Sequence, residues 1–243
     1  MSEVALEQFR SVWENLTTKR AEKMTWLSPA FVTWLTLPIG LCAAWLMMTA
    51  GRDSTGGWLL LGSAALVGIA QLLDGFDGTL ARATDRVTRW GDLLDHTLDR
   101  VLDIVWLVAI GMNSVWVGEA SIGWAAALFT MFGSYMGTQA QAVTGRRDYS
   151  GFSRADRLVI TIIGLTAAGI MALTDTPDFG WYMPPLSNVA INPLTLIIII
   201  SGVGGLYTFT RRFIQARSHV NELDKNEPLS VTSVTEITDA GTE

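Results

Sequence analysis

Residues 74–99 read DGFDGTLARATDRVTRWGDLLDHTLD, and this stretch decides how the rest of the chain is read. It sets Asp74, Asp77, Asp95 and Asp99 between segments that are otherwise apolar. Ionised groups at the edge of a bilayer are costly, so their presence points to function. Asp74 and Asp77 are three residues apart, and Asp95 and Asp99 four apart; on helices each pair shares one face. A short basic link around Thr84–Trp90 is expected to make the two helices antiparallel neighbours, so that four carboxylates converge. That is the oxygen-rich set that hard divalent cations need. Two ions bridged by shared carboxylates would balance the charge and template a phosphate-bearing ligand.

Outward from this stretch lie six apolar runs: Pro29–Ala50, Gly57–Leu73, Val101–Val117, Ile122–Met136, Leu158–Leu173 and Pro193–Phe209. A spanning helix needs about 20 mostly apolar residues. The first run qualifies alone, and the others do so once flanking small and polar residues extend them. One such run could be a buried core helix; six in series, in a chain with ten Trp, make an all-α integral membrane protein, a six-transmembrane-helix bundle. Basic residues set its orientation. Lys19, Arg20 and Lys23 precede the first run, Arg82, Arg86 and Arg89 follow the second, Arg146, Arg147, Arg154 and Arg157 follow the fourth, and Arg211, Arg212 and Arg217 follow the sixth. The opposite connections hold Arg52 among four acidic residues. By the positive-inside rule, both termini and the Asp74–Asp99 segment are expected at the cytoplasmic face of the cell membrane.

The flanks read differently. Leu6, Phe9, Val12, Trp13 and Leu16 recur at three- and four-residue spacing, so residues 1–27 are expected to hold an interfacial amphipathic helix; a helix packed on a cytoplasmic loop is the alternative. Residues 28–215 form the membrane domain, with a kink expected at Pro38 and an external loop with interfacial aromatics over Thr174–Asn192. The tail, 216–243, has six acidic against two basic residues and no apolar periodicity, and reads as disordered. It carries much of the net charge of -6. Nothing points to nucleic acid, since the arginines sit where topology requires them. Cys42 stands alone, which excludes a disulfide framework or a thiolate metal site. The first apolar run begins too late and is too long for a cleavable signal peptide.

Small residues surround the carboxylates. Gly78 and Ala81 share the helix of the first pair, and Gly91 opens the helix of the second. Glycine in a helix costs about 1 kcal/mol relative to alanine, so two at one site point to close approach by a ligand, although small residues also serve helix packing. Arg82 falls one turn beyond Gly78, where its guanidinium can fork onto phosphate oxygens; otherwise it is a topological charge. The pattern Asp74-x2-Asp77-Gly78-x2-Ala81-Arg82-x8-Gly91-x3-Asp95-x3-Asp99 resembles, at all eight fixed positions, the signature of the CDP-alcohol phosphotransferase (CDP-alcohol phosphatidyltransferase) family. With six spans and an interfacial helix, the likeness covers about residues 1–215.

The resemblance implies a phospholipid-synthesising transferase. A CDP-linked lipid would donate its phosphatidyl-type group to the hydroxyl of a small polar alcohol and release CMP. It implies two Mg2+ or Mn2+ ions on Asp74, Asp77, Asp95 and Asp99, with Asp99 also the general base. It implies nucleotide binding by Asp74, Gly78, Ala81, Arg82 and Gly91, and a homodimer. The two-metal chemistry agrees with the residues themselves, as does a carboxylate acting as base. Asp92 lies on nearly the same face as Asp95 and Asp99 but outside the signature, where a first-turn helix-dipole role is the plainer reading. His96 and Asp103 read as polar residues facing protein.

For the acceptor, Arg154 and Arg157 in GRRDYSGFSRADR (145–157) resemble the region that binds an acceptor phosphate, and one turn apart they form an anion clamp or a topological pair. Phosphatidylinositol phosphate-forming members carry a Tyr-x-Lys-Ala-Arg-Ala-Glu stretch where this chain has Tyr135, Gly137, Gln139 and Gln141. That weighs against inositol phosphate and keeps glycerol 3-phosphate, serine or a neutral polyol open. Pro29-Ala30 replaces the family's usual Pro-Asn, with Thr33 kept. A Gln-rich acceptor wall and acidic outer loops resemble archaeal members, whose donor would be CDP-archaeol rather than a diacylglycerol lipid. Two other classes compete: an intramembrane prenyltransferase, whose aspartate motifs lie far apart, and a cation transporter, whose carboxylates would be spread over several spans near the midplane.

Overall fold

The computed structural model describes residues 21, 23–146 and 150–226. Six long helices dominate the described residues: α1 (Pro29–Thr49), α2 (Ser54–Ala83), α3 (Arg89–Gly111), α4 (Ala120–Thr144), α5 (Arg154–Leu173) and α6 (Pro193–Asn226). Their starts follow local chemistry. Pro29 opens α1, where its missing N–H costs nothing. Asp53 caps α2 by accepting from Gly56 N at 2.8 Å, Thr88 caps α3 by accepting from Gly91 N at 3.0 Å, and Ser153 with Asp156 forms a reciprocal capping box on α5. Helix α4 ends on Gly145 in the left-handed region, φ 68°. A two-residue antiparallel ribbon, β1 (Gly180–Trp181) with β2 (Ala190–Ile191), braces the α5–α6 connection.

The helices close into a ring. Its packed neighbours run α1–α2–α5–α6–α4–α3 and back to α1. Glycines set the close crossings: a Cβ on Gly57 of α2 would lie 2.9 Å from the Gly169 carbonyl of α5, and one on Gly111 of α3 would lie 2.7 Å from Gly123 Cα of α4. Such contacts are how membrane helices approach without a hydrophobic driving force. Consecutive helices α2 and α3 make no extended contact, because α1 packs against both. The expected antiparallel neighbours therefore face one another across a gap.

Inside the ring, Met47, Leu60, Val67, Leu102, Trp106, Ile110, Leu165 and Ile197 form the apolar core. The outside carries exposed Trp34, Trp45, Trp58, Ile163, Ile170 and Val203, a surface suited to lipid. Four helices, α1, α2, α5 and α6, are long and apolar enough to cross a membrane, which makes the chain a multi-pass membrane protein. The expected six are not all reached by that measure: α3 carries six charged residues between Arg89 and Asp103, and α4 is diluted by Gly, Ser, Thr and Gln. Helix α2 has 30 residues, about 45 Å at 1.5 Å per residue. That exceeds the ~30 Å hydrocarbon core, so the end carrying Asp74 and Asp77 can stand at headgroup depth.

Most of the amphipathic segment read in residues 1–27 lies outside the described residues; Ala21, Met24 and Leu27 pack with Val32 near the start of α1 and Leu80 near the end of α2. The tail read as disordered from residue 216 is helical in its first part, because α6 continues to Asn226. The remainder lies outside the described residues.

Candidate active site

One carboxylate oxygen each from Asp74, Asp95 and Asp99 lies within 4.8 Å of the others. Asp74 comes from α2 and the other two from α3, so the cluster spans the gap between the two helices. Asp77, the fourth predicted member, is turned toward α1, where its carboxylate accepts a hydrogen bond from Thr33 Oγ1. Both helices hold their pairs on one face, as three- and four-residue spacing requires. Three unpaired carboxylates this close would repel, and a cation already sits among them. Arg154, at the start of α5, places Nη2 2.7 Å from Asp99 Oδ1 and Nη1 3.1 Å from Asp74 Oδ2. Gln71 Nε2 donates to the same Asp74 oxygen at 2.9 Å.

The donor set fits a hard divalent cation: it is all oxygen, partly buried, and only partly balanced by one guanidinium, which pairs with two of the three carboxylates.

Two cavities open on either side of the cluster. One, about 540 Å³, is lined by Thr33, Asp77, Gly78, Ala81, Arg82, Gly91 and Asp95 among others. All the predicted nucleotide residues except Asp74 line it, and Asp92 lines it too. Space at Gly78 is open: a Cβ there would meet only Arg82, at 3.4 Å. The second cavity, about 570 Å³, is lined by Asp99, Arg100, Gly137, Arg154, Arg157 and Arg212, with Ser134 and Thr138. The carboxylates are thus divided, Asp77 and Asp95 on one side and Asp99 on the other.

Sequence reasoning paired Arg154 with Arg157 as a clamp, and both do line the second cavity. Their partners were not foreseen. Arg154 grips the carboxylate cluster, while Arg157 Nη2 pairs with the buried Asp103 at 2.7 Å. The Gln-rich wall is a correction: Gln139 and Gln141 are exposed and line neither cavity, whereas Gly133, Ser134, Gly137 and Thr138 form that side. Over Gly137 lies Arg212 of α6, held by the Gly133 carbonyl at 2.8 Å and the Ser150 carbonyl at 3.0 Å. A Cβ on Gly137 would stand 2.7 Å from Arg212 Nη1. Arg100, Asp103 and Arg212 were missed as site residues. Asp103 extends the four-residue series of Asp95 and Asp99, a signal that was available; Arg212 looked like one topological charge among several.

The profile of the CDP-alcohol phosphatidyltransferase family matches residues 26–201. The chain belongs to that family. It is therefore a membrane transferase of phosphate-containing groups in phospholipid biosynthesis. A phosphatidylinositol phosphate synthase of Cutibacterium acnes is 29% identical over 221 residues, covering 87% of this chain and 97% of the relative. An archaetidylinositol phosphate synthase of Pyrococcus horikoshii is 30% identical over 103 residues, covering 40% of this chain and 52% of the relative. Among solved structures, the Mycobacterium tuberculosis phosphatidylinositol phosphate synthase with CDP-DAG bound superposes with a TM-score of 0.61 at 24% identity, over 83% of this chain and 94% of that one. The same enzyme in complex with manganese and citrate gives 0.60. These superpositions establish the family's fold here, and the eight signature residues all fall on or beside the two cavities.

Proposed function

We propose that the protein transfers a phosphatidyl-type group from a CDP-linked lipid to the hydroxyl of a phosphorylated polyol, releasing CMP. The observation that carries this reading is the division of the carboxylate cluster between two cavities. The cavity with Gly78, Ala81, Arg82 and Gly91 receives the cytidine diphosphate, with Arg82 on phosphate. The cavity with four arginines receives the acceptor; so many guanidiniums favour a phosphate dianion over serine or a neutral polyol. Asp99 faces that side and takes the hydroxyl proton. The acceptor oxygen then bonds to the lipid-side phosphorus as the bond from that phosphorus to the CMP oxygen breaks. Asp74, Asp77, Asp95 and Asp99 would hold two divalent ions, Mg2+ or Mn2+, which when bound stabilise negative charge on the phosphoryl oxygens.

Inositol 1-phosphate is the first acceptor to test, because the relatives are named for its product. Glycerol 3-phosphate is the second, since Gly137 departs from the lysine of the inositol phosphate pattern. Diacylglycerol and archaeol donors are both in play for the same reason of kinship. The proposal includes six spans, a cytoplasmic site with both termini on that face, and a homodimer. Placement of α3 and α4 within the closed ring supports the span count, and the arginine distribution supports the orientation.

The test is CMP release by the purified chain in detergent with magnesium, CDP-diacylglycerol or CDP-archaeol, and a panel of inositol 1-phosphate, glycerol 3-phosphate, serine and inositol. Release driven by a phosphorylated acceptor is expected. Release driven by serine or free inositol instead would overturn the acceptor reading, and failure to bind either CDP-lipid would overturn the donor reading.

A further inference from the structure

Asp103 lies on α3 one turn beyond Asp99, at 5% exposure, and does not line the arginine-walled cavity. It sits behind that wall, in a narrow crevice with Trp106, Ile110 and Ser201. Its Oδ2 accepts from Arg157 Nη2 at 2.7 Å and from Arg100 Nη1 at 3.1 Å. Its Oδ1 stands 3.7 Å from Arg154 Nε. The three arginines come from two helices, α3 and α5, and all three line the cavity that Asp103 does not reach.

We propose that Asp103 is a positioning residue for the acceptor half of the site, aiming Arg100, Arg154 and Arg157 at the cavity. The inference rests on reading that cavity as the acceptor site. One cation would neutralise a buried carboxylate; three are gathered on this one, so charge balance alone does not account for the arrangement. Adjacent guanidiniums repel, and the carboxylate between them holds them at fixed separations. Each is also anchored elsewhere. Arg100 donates to Ser134 Oγ at 2.8 Å, Arg154 grips Asp74 and Asp99, and Arg157 Nη1 reaches the Ser153 carbonyl at 3.5 Å. Nε of Arg154 and Nε of Arg157 are buried without a hydrogen-bond partner, on the side of each guanidinium away from solvent. A set of cations held at fixed separations is how a phosphate dianion is recognised. Asp103 supplies the fixing.

Binding of inorganic phosphate to the full chain in detergent, without metal, tests this by calorimetry, beside the acceptor and donor KM values. Asp103→Asn should weaken phosphate by about tenfold, given what charge-assisted pairs contribute. Asp103→Glu should restore most of the loss, and CDP-lipid affinity should stay at the wild-type value in both. Wild-type phosphate affinity in Asp103→Asn would overturn the proposal, as would an equal rise in donor and acceptor KM. Arg212→Gln serves as the control for the cavity, since Arg212 lines it without touching Asp103. If Arg212→Gln leaves phosphate binding unchanged, or the wild type binds none, the acceptor reading fails and this inference with it. If Arg212→Gln weakens phosphate and Asp103→Asn does not, the positioning role alone fails. Should Asp103→Asn not fold, the double variant Asp103→Asn/Arg157→Gln must bind phosphate more weakly than Arg157→Gln; equal affinities overturn the proposal.

Discussion

Asn113 and Asn192 at one end of the helix ring, and the Asp74–Asp99 cluster at the other, are all polar groups taken out of water, but they are satisfied differently. Asn113 donates to the Met47 and Ala50 carbonyls at 2.8 and 2.9 Å and accepts from Val115 N and Trp116 N at 3.0 Å. Asn192 donates to the Trp116 carbonyl at 2.8 Å and accepts from Leu194 N and Thr195 N at 3.1 Å. Both amides are neutral; Asn113 uses both hydrogens and its oxygen, Asn192 its oxygen and one hydrogen, and they tie the ends of α1 and α3 to the start of α6. At the carboxylate end the groups are charged, and three of the five unpartnered buried side-chain atoms among the described residues belong to Gln71, Arg154 and Arg157. A well-paired neutral network stabilises; buried unpartnered atoms cost stability, and functional sites are where proteins bear that cost. Scaffold and site are segregated to opposite ends of the same helices.

The comparison is broken most directly at Asp99. Asp99→Asn should lower kcat by roughly 10³-fold, the scale of a lost general base, with thermal stability in detergent and CDP-lipid binding unchanged. Near-normal turnover would show that the cluster is structural after all. At the other end Asn113→Ala strands two carbonyls and two amides, and should cost about 3 kcal/mol at the usual price of unsatisfied buried groups. A lower melting temperature with kcat preserved in the folded fraction is the expected result; a fall in kcat without a fall in stability would erase the distinction between the ends.

Arg154→Gln sharpens the contrast. The guanidinium now competes for the carboxylates that would hold metal, so its removal should tighten Mn2+ binding by about tenfold, read by the loss of the free Mn2+ EPR signal on titration. Weaker Mn2+ binding would mean that Arg154 shapes the cation site rather than occupying it. The smallest effect is expected at Gly137→Ala. Its new Cβ would stand 2.7 Å from Arg212 Nη1, and displacing one flexible guanidinium should raise the acceptor KM a few-fold, about 1 kcal/mol on the scale of one charge-assisted contact. An unchanged KM would remove Arg212 from the acceptor wall.

Much of the site was legible in the linear pattern. Spacing within one helix is a local property: the pairs Asp74/Asp77 and Asp95/Asp99 must share faces whatever surrounds them, and Gly78, Ala81, Arg82 and Gly91 follow from the same periodicity. The apolar runs were legible too, although the charges that keep α3 below the measure of a membrane span were weighed only as a site. Less was legible wherever distance along the chain is not distance in space. Arg154 reads as one of a pair and Arg212 as one topological charge beyond the sixth apolar run, because nothing local says which helix each will face. The Gln-rich wall failed for the same reason: Gln139 and Gln141 are exposed and line neither cavity.

The sequence by itself determined that this is a helical membrane protein of the CDP-alcohol phosphatidyltransferase family with carboxylates paired on two helices. Only the tertiary structure decided that three of the four aspartates converge while Asp77 turns to Thr33, that the cluster divides two cavities, and that arginines from α5 and α6 complete one of them. Helical period is set by backbone geometry common to all sequences. Which helices touch is set by where small residues let backbones approach, and here that placed α1 against both α2 and α3 and left these two facing one another across a gap that Asp74, Asp95 and Asp99 bridge.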